Sequence, residues 1–264
     1  MSNKIIFTFY HDKYTMSPKM KENWKNIVLE NSEFECKLFD IIDAIEFFHE
    51  NYNSDVLQTF MKLKPYSYKS DLFRYAYIYI HGGIYIDIKY SSMNNFHFHS
   101  LIQNNEYLIR EPFGIQTCLL ISKPNNKLYL YCINKIIQHV KKKWYGINAL
   151  GITGPLLISY IYFNYFVKKY ENNPYTQLYD IFEEESIEIL ENNKILLNPK
   201  PNYSPCIDSH LQLEWKTENN FQQIFYQNNL ILQEYSEYRN DLKYQNNQEK
   251  HYMEQFREKD IYLL

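Results

Sequence analysis

The four cysteines, Cys36, Cys118, Cys132 and Cys206, form no C-x-x-C pair. Their wide spacing argues against zinc-ribbon and thioredoxin-like chemistry. Cys118 and Cys132 lie in apolar segments and read as small core residues, so a cytoplasmic or other reducing intracellular compartment is expected. Neither G-x-x-x-x-G-K-[ST] nor G-x-G-x-x-G occurs, which argues against P-loop and dinucleotide-binding proteins. Charge is nearly balanced, 28 Lys and Arg against 31 Asp and Glu, so no nucleic-acid partner is expected. The short run Lys141-Lys142-Lys143 reads as a solvated helix end. Ile5 to Tyr10 is too short for the apolar core of a signal peptide. The longest apolar run, Leu156 to Val167, falls short of the roughly 20 residues a membrane-spanning helix needs. A chain with neither signal peptide nor membrane span is therefore expected. No internal repeat is visible.

The chain does have enough apolar residues, 45% of 264, for a sizeable core, and an unusual stock of aromatics, with 27 Tyr and 17 Phe. Lys4 to Tyr10 reads as a buried strand. Ser17-Pro18 starts a helix that runs to about Glu30. Phe34, Cys36 and Leu38 alternate with charged residues, as in a strand with one buried face. Asp40 caps a helix through Ile45 and Phe48, and another covers Asp55 to Leu63, ended by Pro65. Alternating strands and helices predict an α/β architecture with a mainly parallel sheet flanked by helices. Cys118 to Ser122 reads as a strand, and Leu128 to Val140 and Leu156 to Tyr170 as helices. Asn198 to Pro205 is a proline-rich loop. The polar tail from Glu234 ends in Tyr252, Phe256, Ile261 and Tyr262, spacings that predict docking onto the body.

The most informative stretch is Tyr68 to Tyr90, "YKSDLFRYAYIYIHGGIYIDIKY". A helix over Ser67 to His81 puts Leu72, Phe73, Ala76 and Ile80 on a core face. Asp71 and Arg74, three apart, fall on another face and can approach each other, in the bland case as a surface ion pair. Gly82-Gly83 stops the helix. In the strand that follows, Ile84, Ile86 and Ile88 take one side and Tyr85, Asp87 and Lys89 the other. A carboxylate on a buried strand needs a partner, and the carboxyl end of a strand in an open α/β sheet is where ligands bind. His97-Phe98-His99 would put two histidines on one side of a strand; with no third ligand nearby it reads as surface.

Ser70, Asp71, Arg74, Tyr75, Gly82, Gly83, Tyr85 and Asp87 resemble, at matching spacing, the signature of the DXD-containing sugar transferases of family 32. That group includes initiating mannosyltransferases and capsular-polysaccharide sugar transferases. "KIIFTFY" at Lys4, "ITGPLLIS" at Ile152 and "HYMEQFREKDIY" at His251 are similar to further family segments, with Phe256 where a Trp is usual. The resemblance implies an A-type glycosyltransferase fold with a Rossmann-like sheet. It implies one domain over 1–264, in which 1–200 bind the nucleotide sugar and 201–264 close the site. It implies a retaining transfer of a hexose from a UDP- or GDP-sugar to a glycan, polysaccharide or glycoprotein acceptor.

Carried over by position, Asp71 binds hydroxyls of the donor sugar, and Arg74 contacts sugar and diphosphate. Tyr85 lines the donor pocket, and Asp87 holds the ribose and, directly or through water, a divalent metal, Mn²⁺ or Mg²⁺. Asp87, Asp71 and Arg74 are the expected catalytic residues. Tyr10 is a weaker candidate for stacking on the base, and His251 for reaching the metal or diphosphate from the tail. Lys89 is the departure, because the family has an aspartate there as the metal's main carboxylate. Three accounts stay open. Lys89 neutralises the diphosphate itself and makes the metal dispensable; the metal is held by Asp87, the diphosphate and a tail residue; or the site has decayed and the protein only binds nucleotide sugars or glycans.

Overall fold

The computed structural model describes residues 4–101, 106–111, 114–146, 148–163, 188–191, 194–197, 213–241 and 250–263. Strand β1 (Ile5–Phe9) is buried along its whole length. It lies between parallel neighbours β2 (Glu35–Phe39) and β3 (Gly83–Ile86), so its apolar run faces helices on both sides. Helix α1 (Pro18–Glu30) starts at Ser17, whose hydroxyl accepts the Met20 N–H. Asp40 caps α2 (Ile41–Asn51) in a reciprocal box with Asp43, and Asn53 caps α3 (Ser54–Lys62). These boundaries agree with the expected ones to within a few residues.

Helix α4 (Tyr66–His81) departs from expectation. Every residue from Tyr68 to Tyr79 is buried, Asp71 and Arg74 included, so the two are not a surface pair and the helix has no solvated face along that length. Lys69 illustrates how polar positions are accommodated. Its ammonium donates to the Phe60 carbonyl at 2.6 Å and lies 4.7 Å from the centre of the Phe60 ring. The chain then turns at Gly82 (φ 65°) and Gly83 (φ 97°), conformations that suit glycine. A Cβ on Gly83 would sit 2.7 Å from the Ile5 carbonyl oxygen, so the missing side chain lets β3 lie against β1.

Strand β3 ends at Ile86. The expected continuation of the strand through Lys89 is replaced by a turn, closed by the Tyr90 N–H to the Asp87 carbonyl at 3.1 Å, before β4 (Tyr90–Ser92). The segment 97–99 is also not a strand: Phe98–Ser100 is a 3-10 turn, and the His97 ring nitrogen meets the Glu30 carbonyl. Strands β5 (Tyr107–Glu111) and β6 (Gly114–Ser122) follow, then helices α5 (Lys127–Lys141) and α6 (Pro155–Ile161). The part of the expected helix beyond residue 163, Cys206 and the proline-rich loop at 198–205 lie outside the described residues. Strands β7 (Glu188–Glu191) and β8 (Lys194–Leu197) pair with each other. Strands β9 (Leu213–Glu218), β10 (Phe221–Tyr226) and β11 (Asn229–Glu234), and helix α7 (Tyr252–Arg257), complete the described chain.

Nine strands form one sheet in the order β2-β1-β3-β6-β5-β9-β10-β11-β4. It is mixed rather than mainly parallel. β1 pairs in parallel with β2 and β3, and β5 with β9; β6 runs antiparallel to β3 and β5, and β9, β10, β11 and β4 form an antiparallel run. The short β5–β6 and β9–β10–β11 connections permit hairpins, which parallel pairing does not. Strand β4 begins four residues after β3 ends but lies six places away in the sheet. Four residues reach at most about 14 Å, whereas six strand spacings of a flat sheet cover about 29 Å. The sheet therefore curls until its far edge comes back beside the end of β3. The tail docks as expected: Ile261 is fully buried, its carbonyl accepts the Lys64 N–H, and Tyr262 bridges to Leu63.

Candidate active site

At the carboxyl end of β3 the curl encloses a cavity of about 1290 Å³. It is lined from four directions: the end of β1, helix α4, the antiparallel β9–β11 wall and helix α7. Its floor is a chain of alternating charges. Asp71 accepts the Thr153 hydroxyl at 2.7 Å on Oδ2 and faces Arg74 at 3.4 Å on Oδ1. Arg74 donates to the Thr117 carbonyl at 2.7 Å and the Ser70 hydroxyl at 2.8 Å, and meets Asp87 Oδ1 at 3.2 Å. The Tyr85 hydroxyl donates to the same Asp87 oxygen at 2.7 Å, and the Tyr85 ring lies under the guanidinium at 4.3 Å. Asp87 Oδ2 faces the Lys89 ammonium at 3.5 Å.

Burial governs how these groups hold their protons. It raises the Asp71 carboxyl to about 6, with Arg74 and Thr153 pulling the other way. For Arg74 burial opposes the charge, but Tyr85, Asp87 and Asp71 around it more than compensate and hold the guanidinium above its ordinary range. The Tyr85 hydroxyl is pushed well up by burial, so it stays a donor to Asp87. Such an arrangement presents a fixed cation and oriented carboxylates to a polar ligand in surroundings where their interactions are stronger than in bulk water.

The structure brings Asp71, Arg74, Tyr85, Asp87 and Lys89 into one connected group, and places Tyr10 and His251 on the wall of the same cavity. Tyr10 packs with Met16, Met20, Ile88 and Tyr235 and is 7% exposed, so most of its ring is committed to the core. The sequence reading assigned no role to Thr153, although the T-G-P segment that carries it was visible. It also missed Glu234, a 4%-exposed carboxylate on the β11 wall that accepts the Gln222 N–H at 3.2 Å and has Arg239 at 3.9 Å. No local pattern marks Glu234, because the hairpin strands meet the site only through the curl. The Thr117 carbonyl is a backbone atom and leaves no sequence signal.

Mg²⁺ and Mn²⁺ require several hard oxygen ligands. At the end of β3 the available carboxylate is Asp87, with Oδ1 taken by Tyr85 and Arg74 and Oδ2 facing an ammonium. His251 caps α7, its Nδ1 accepting the Met253 N–H at 3.3 Å. Among the described residues no three His, Cys, Asp or Glu side chains are grouped to hold an ion. The expected Asp87–His251 metal pair therefore does not fit as arranged, because the Lys89 ammonium occupies the side of Asp87 that a cation would approach.

The fold and site thus describe an α/β protein of A-type glycosyltransferase architecture, with a charged ligand cavity at the end of its third strand. Residues 10–108 match the family model described as "Glycosyltransferase sugar-binding region containing DXD motif". That span includes Asp71, Arg74, Tyr85, Asp87 and Lys89 but not Thr153, Glu234 or His251. An uncharacterized glycosyltransferase of Acanthamoeba polyphaga mimivirus is 30% identical over 89 residues, 33% of this chain and 36% of that protein. The mannosyl phosphorylinositol ceramide synthase CSH1 of Saccharomyces cerevisiae is 30% identical over 119 residues, 44% of this chain and 30% of that protein. The chain thus spans about a third of the length of these curated relatives. Among solved structures, PaToxG Glycosyltransferase superposes with a TM-score of 0.50 at 14% identity, over 67% of this chain and 75% of that one, a likeness of fold. Among the described residues no helix is long and apolar enough to cross a membrane.

Proposed function

We propose that the chain is a retaining glycosyltransferase that moves a hexose from a UDP- or GDP-sugar to a glycan, polysaccharide or glycoprotein acceptor. The observation that carries this reading is the linked group Asp71–Arg74–Asp87, its first two members buried and Asp87 half-buried, held by Tyr85, Ser70 and Thr153 at the floor of a cavity large enough for a nucleotide sugar. In the proposed complex, Asp71 accepts hydroxyls of the donor hexose. Arg74 faces the sugar and the near phosphate, and Asp87 the ribose. The bond from the anomeric carbon to the phosphate oxygen breaks, and the acceptor oxygen attacks the same face. The acceptor proton passes to the departing phosphate oxygen, so no separate protein base is required. Stabilising negative charge on the leaving diphosphate is the main demand on the site.

The test is turnover of a panel of UDP- and GDP-hexoses, followed as transfer or slow hydrolysis. Asp87→Asn should lower it by about a hundredfold or more. Arg74→Ala should weaken donor binding by about tenfold or more, because it removes charged hydrogen bonds. Lys143→Ala, at an exposed position past the end of α5, should leave binding unchanged. Donor binding with no turnover under any condition would instead indicate a nucleotide-sugar-binding protein. Equal binding by the Arg74 and Lys143 variants would remove the site assignment.

A further inference from the structure

Four cationic side chains line the described part of the cavity: Arg74, Lys89, Arg239 and Lys250. Their commitments differ. Arg74 is anchored by the Thr117 carbonyl, the Ser70 hydroxyl and Asp87. Lys250 makes two short contacts to Glu258, at 2.8 and 2.7 Å, and its side chain is 54% exposed. Arg239 is similarly exposed and faces Glu234. Lys89 is 16% exposed and faces Asp87 at 3.5 Å, well beyond the 2.7–2.9 Å of a well-made charged hydrogen bond. It is thus a sheltered ammonium with a loose partner.

Its backbone, by contrast, is fixed. The Asn23 side-chain amide donates to the carbonyls on either side, Ile88 and Tyr90, at 2.9 Å each. The Tyr235 N–H donates to the Lys89 carbonyl at 3.0 Å. Ile88 is buried among Tyr10, Met16, Met20 and Tyr235. A short turn, pinned from α1 and from the segment after β11, therefore presents a movable ammonium at the cavity floor.

Charge balance gives this a consequence. An acid at position 89 would leave the Asp71–Arg74–Asp87 group with two uncompensated negative charges, a setting that recruits a dication. Lysine leaves the group neutral. A dication approaching Asp87 Oδ2 would meet the ammonium, whereas an anionic phosphate arriving there gains a cation that gives up a long contact to Asp87 and the Tyr90 ring 5.3 Å away. We infer that Lys89 is the counter-cation for the donor's diphosphate, so that nucleotide-sugar binding and transfer proceed without a divalent metal. On diphosphate binding the Lys89 ammonium turns from Asp87 to the phosphate oxygens, while Asp87 keeps Tyr85 and Arg74. The inference rests on the proposed transferase reading and adds the identity of the charge that the leaving group meets.

The experiment is calorimetric titration of the full chain with UDP and with GDP, each in a chelator and in saturating Mn²⁺. Four proteins are compared: native, Lys89→Arg, Lys89→Met and Lys89→Asp, with melting temperatures recorded to confirm folding. The expected result has four parts. The native protein binds one of the two nucleotides equally in chelator and Mn²⁺, within about twofold. Lys89→Arg keeps the charge and the affinity. Lys89→Met weakens binding by about tenfold or more in both buffers. Lys89→Asp binds in Mn²⁺ and loses binding in chelator. Native binding that requires Mn²⁺, or a folded Lys89→Met that binds as tightly as native, would overturn the role of Lys89 and leave the transferase reading standing. Absence of binding to either nucleotide in both buffers would overturn both.

Discussion

Asp71 is the residue on which function and stability pull in opposite directions. Its folded-state carboxyl is raised to about 6 from an ordinary value of 3.8, chiefly by burial. A raised carboxyl binds its proton more tightly in the folded than in the unfolded chain. The stability it contributes is therefore fully present below about pH 4 and lost as pH rises through about 6. Asp71→Asn removes this dependence. The variant is expected to flatten the change in melting temperature between about pH 4 and 7 and to keep at least the native value at pH 8, while losing transfer; thermal scans at several pH values test it. The ionised form is the one that would accept sugar hydroxyls in the proposed complex, and the Thr153 hydroxyl favours it. Asp71, Arg74, Tyr85 and Asp87 were legible as a spaced pattern. Their burial was not, because helical spacing put Asp71 and Arg74 off the apolar face and did not reveal that Tyr- and Ser-bearing positions would be covered as well.

Among the elements, the unit from α4 to the turn after β3 sets the site. Its helix, its glycine stop and the start of its strand follow from local chemistry and were readable. The end of the strand was not. Alternation through Ile84, Ile86 and Ile88 continues in sequence, but hydrogen bonds from Asn23 and Tyr235 draw 88–90 into a turn, and long-range partners leave no local trace. The same blindness explains the mixed sheet, since a short run such as Cys118 to Ser122 does not state its direction. Gly83 offers the sharpest test of this unit. With φ at 97° and the Ile5 carbonyl 2.7 Å from where a Cβ would sit, Gly83→Ala should lower stability by about 1–3 kcal/mol from backbone strain alone. Urea denaturation measures it, and a loss below a few tenths would mean that β1 and β3 can separate without penalty.

For the whole molecule, the tail is part of the cavity wall. His251, Tyr252 and Gln255 line it, and the Tyr252 ring lies 6.0 Å from that of Tyr68. Beyond α7, Lys64 is bonded to Asp260 through its side chain, and Ile261 and Tyr262 are buried against the end of α3. A chain ending at Glu249 should keep its circular dichroism spectrum, since the strand pairings of the sheet do not involve the tail, although the ends of α3 and α4 lose its cover. Transfer should be abolished. Normal turnover by the truncated chain would show that the tail is only packing. Docking was legible from the aromatic spacing; that it meets α3 and α4 was not, because nothing local in a tail names its receptor.

The curl of the sheet also dictates an order of events during synthesis. The turn carrying Asp87 and Lys89 is fastened by Asn23, 65 residues before Ile88, and by Tyr235, near the far end of the chain. Contacts of such long sequence separation form late and slowly. A nascent chain that has emerged only through residue 108 contains every motif residue from Ser70 to Lys89, yet lacks the strand against which β4 closes. The cavity would lack that wall until β11 leaves the ribosome, so the proposed nucleotide binding would report the arrival of this strand rather than the presence of the motif.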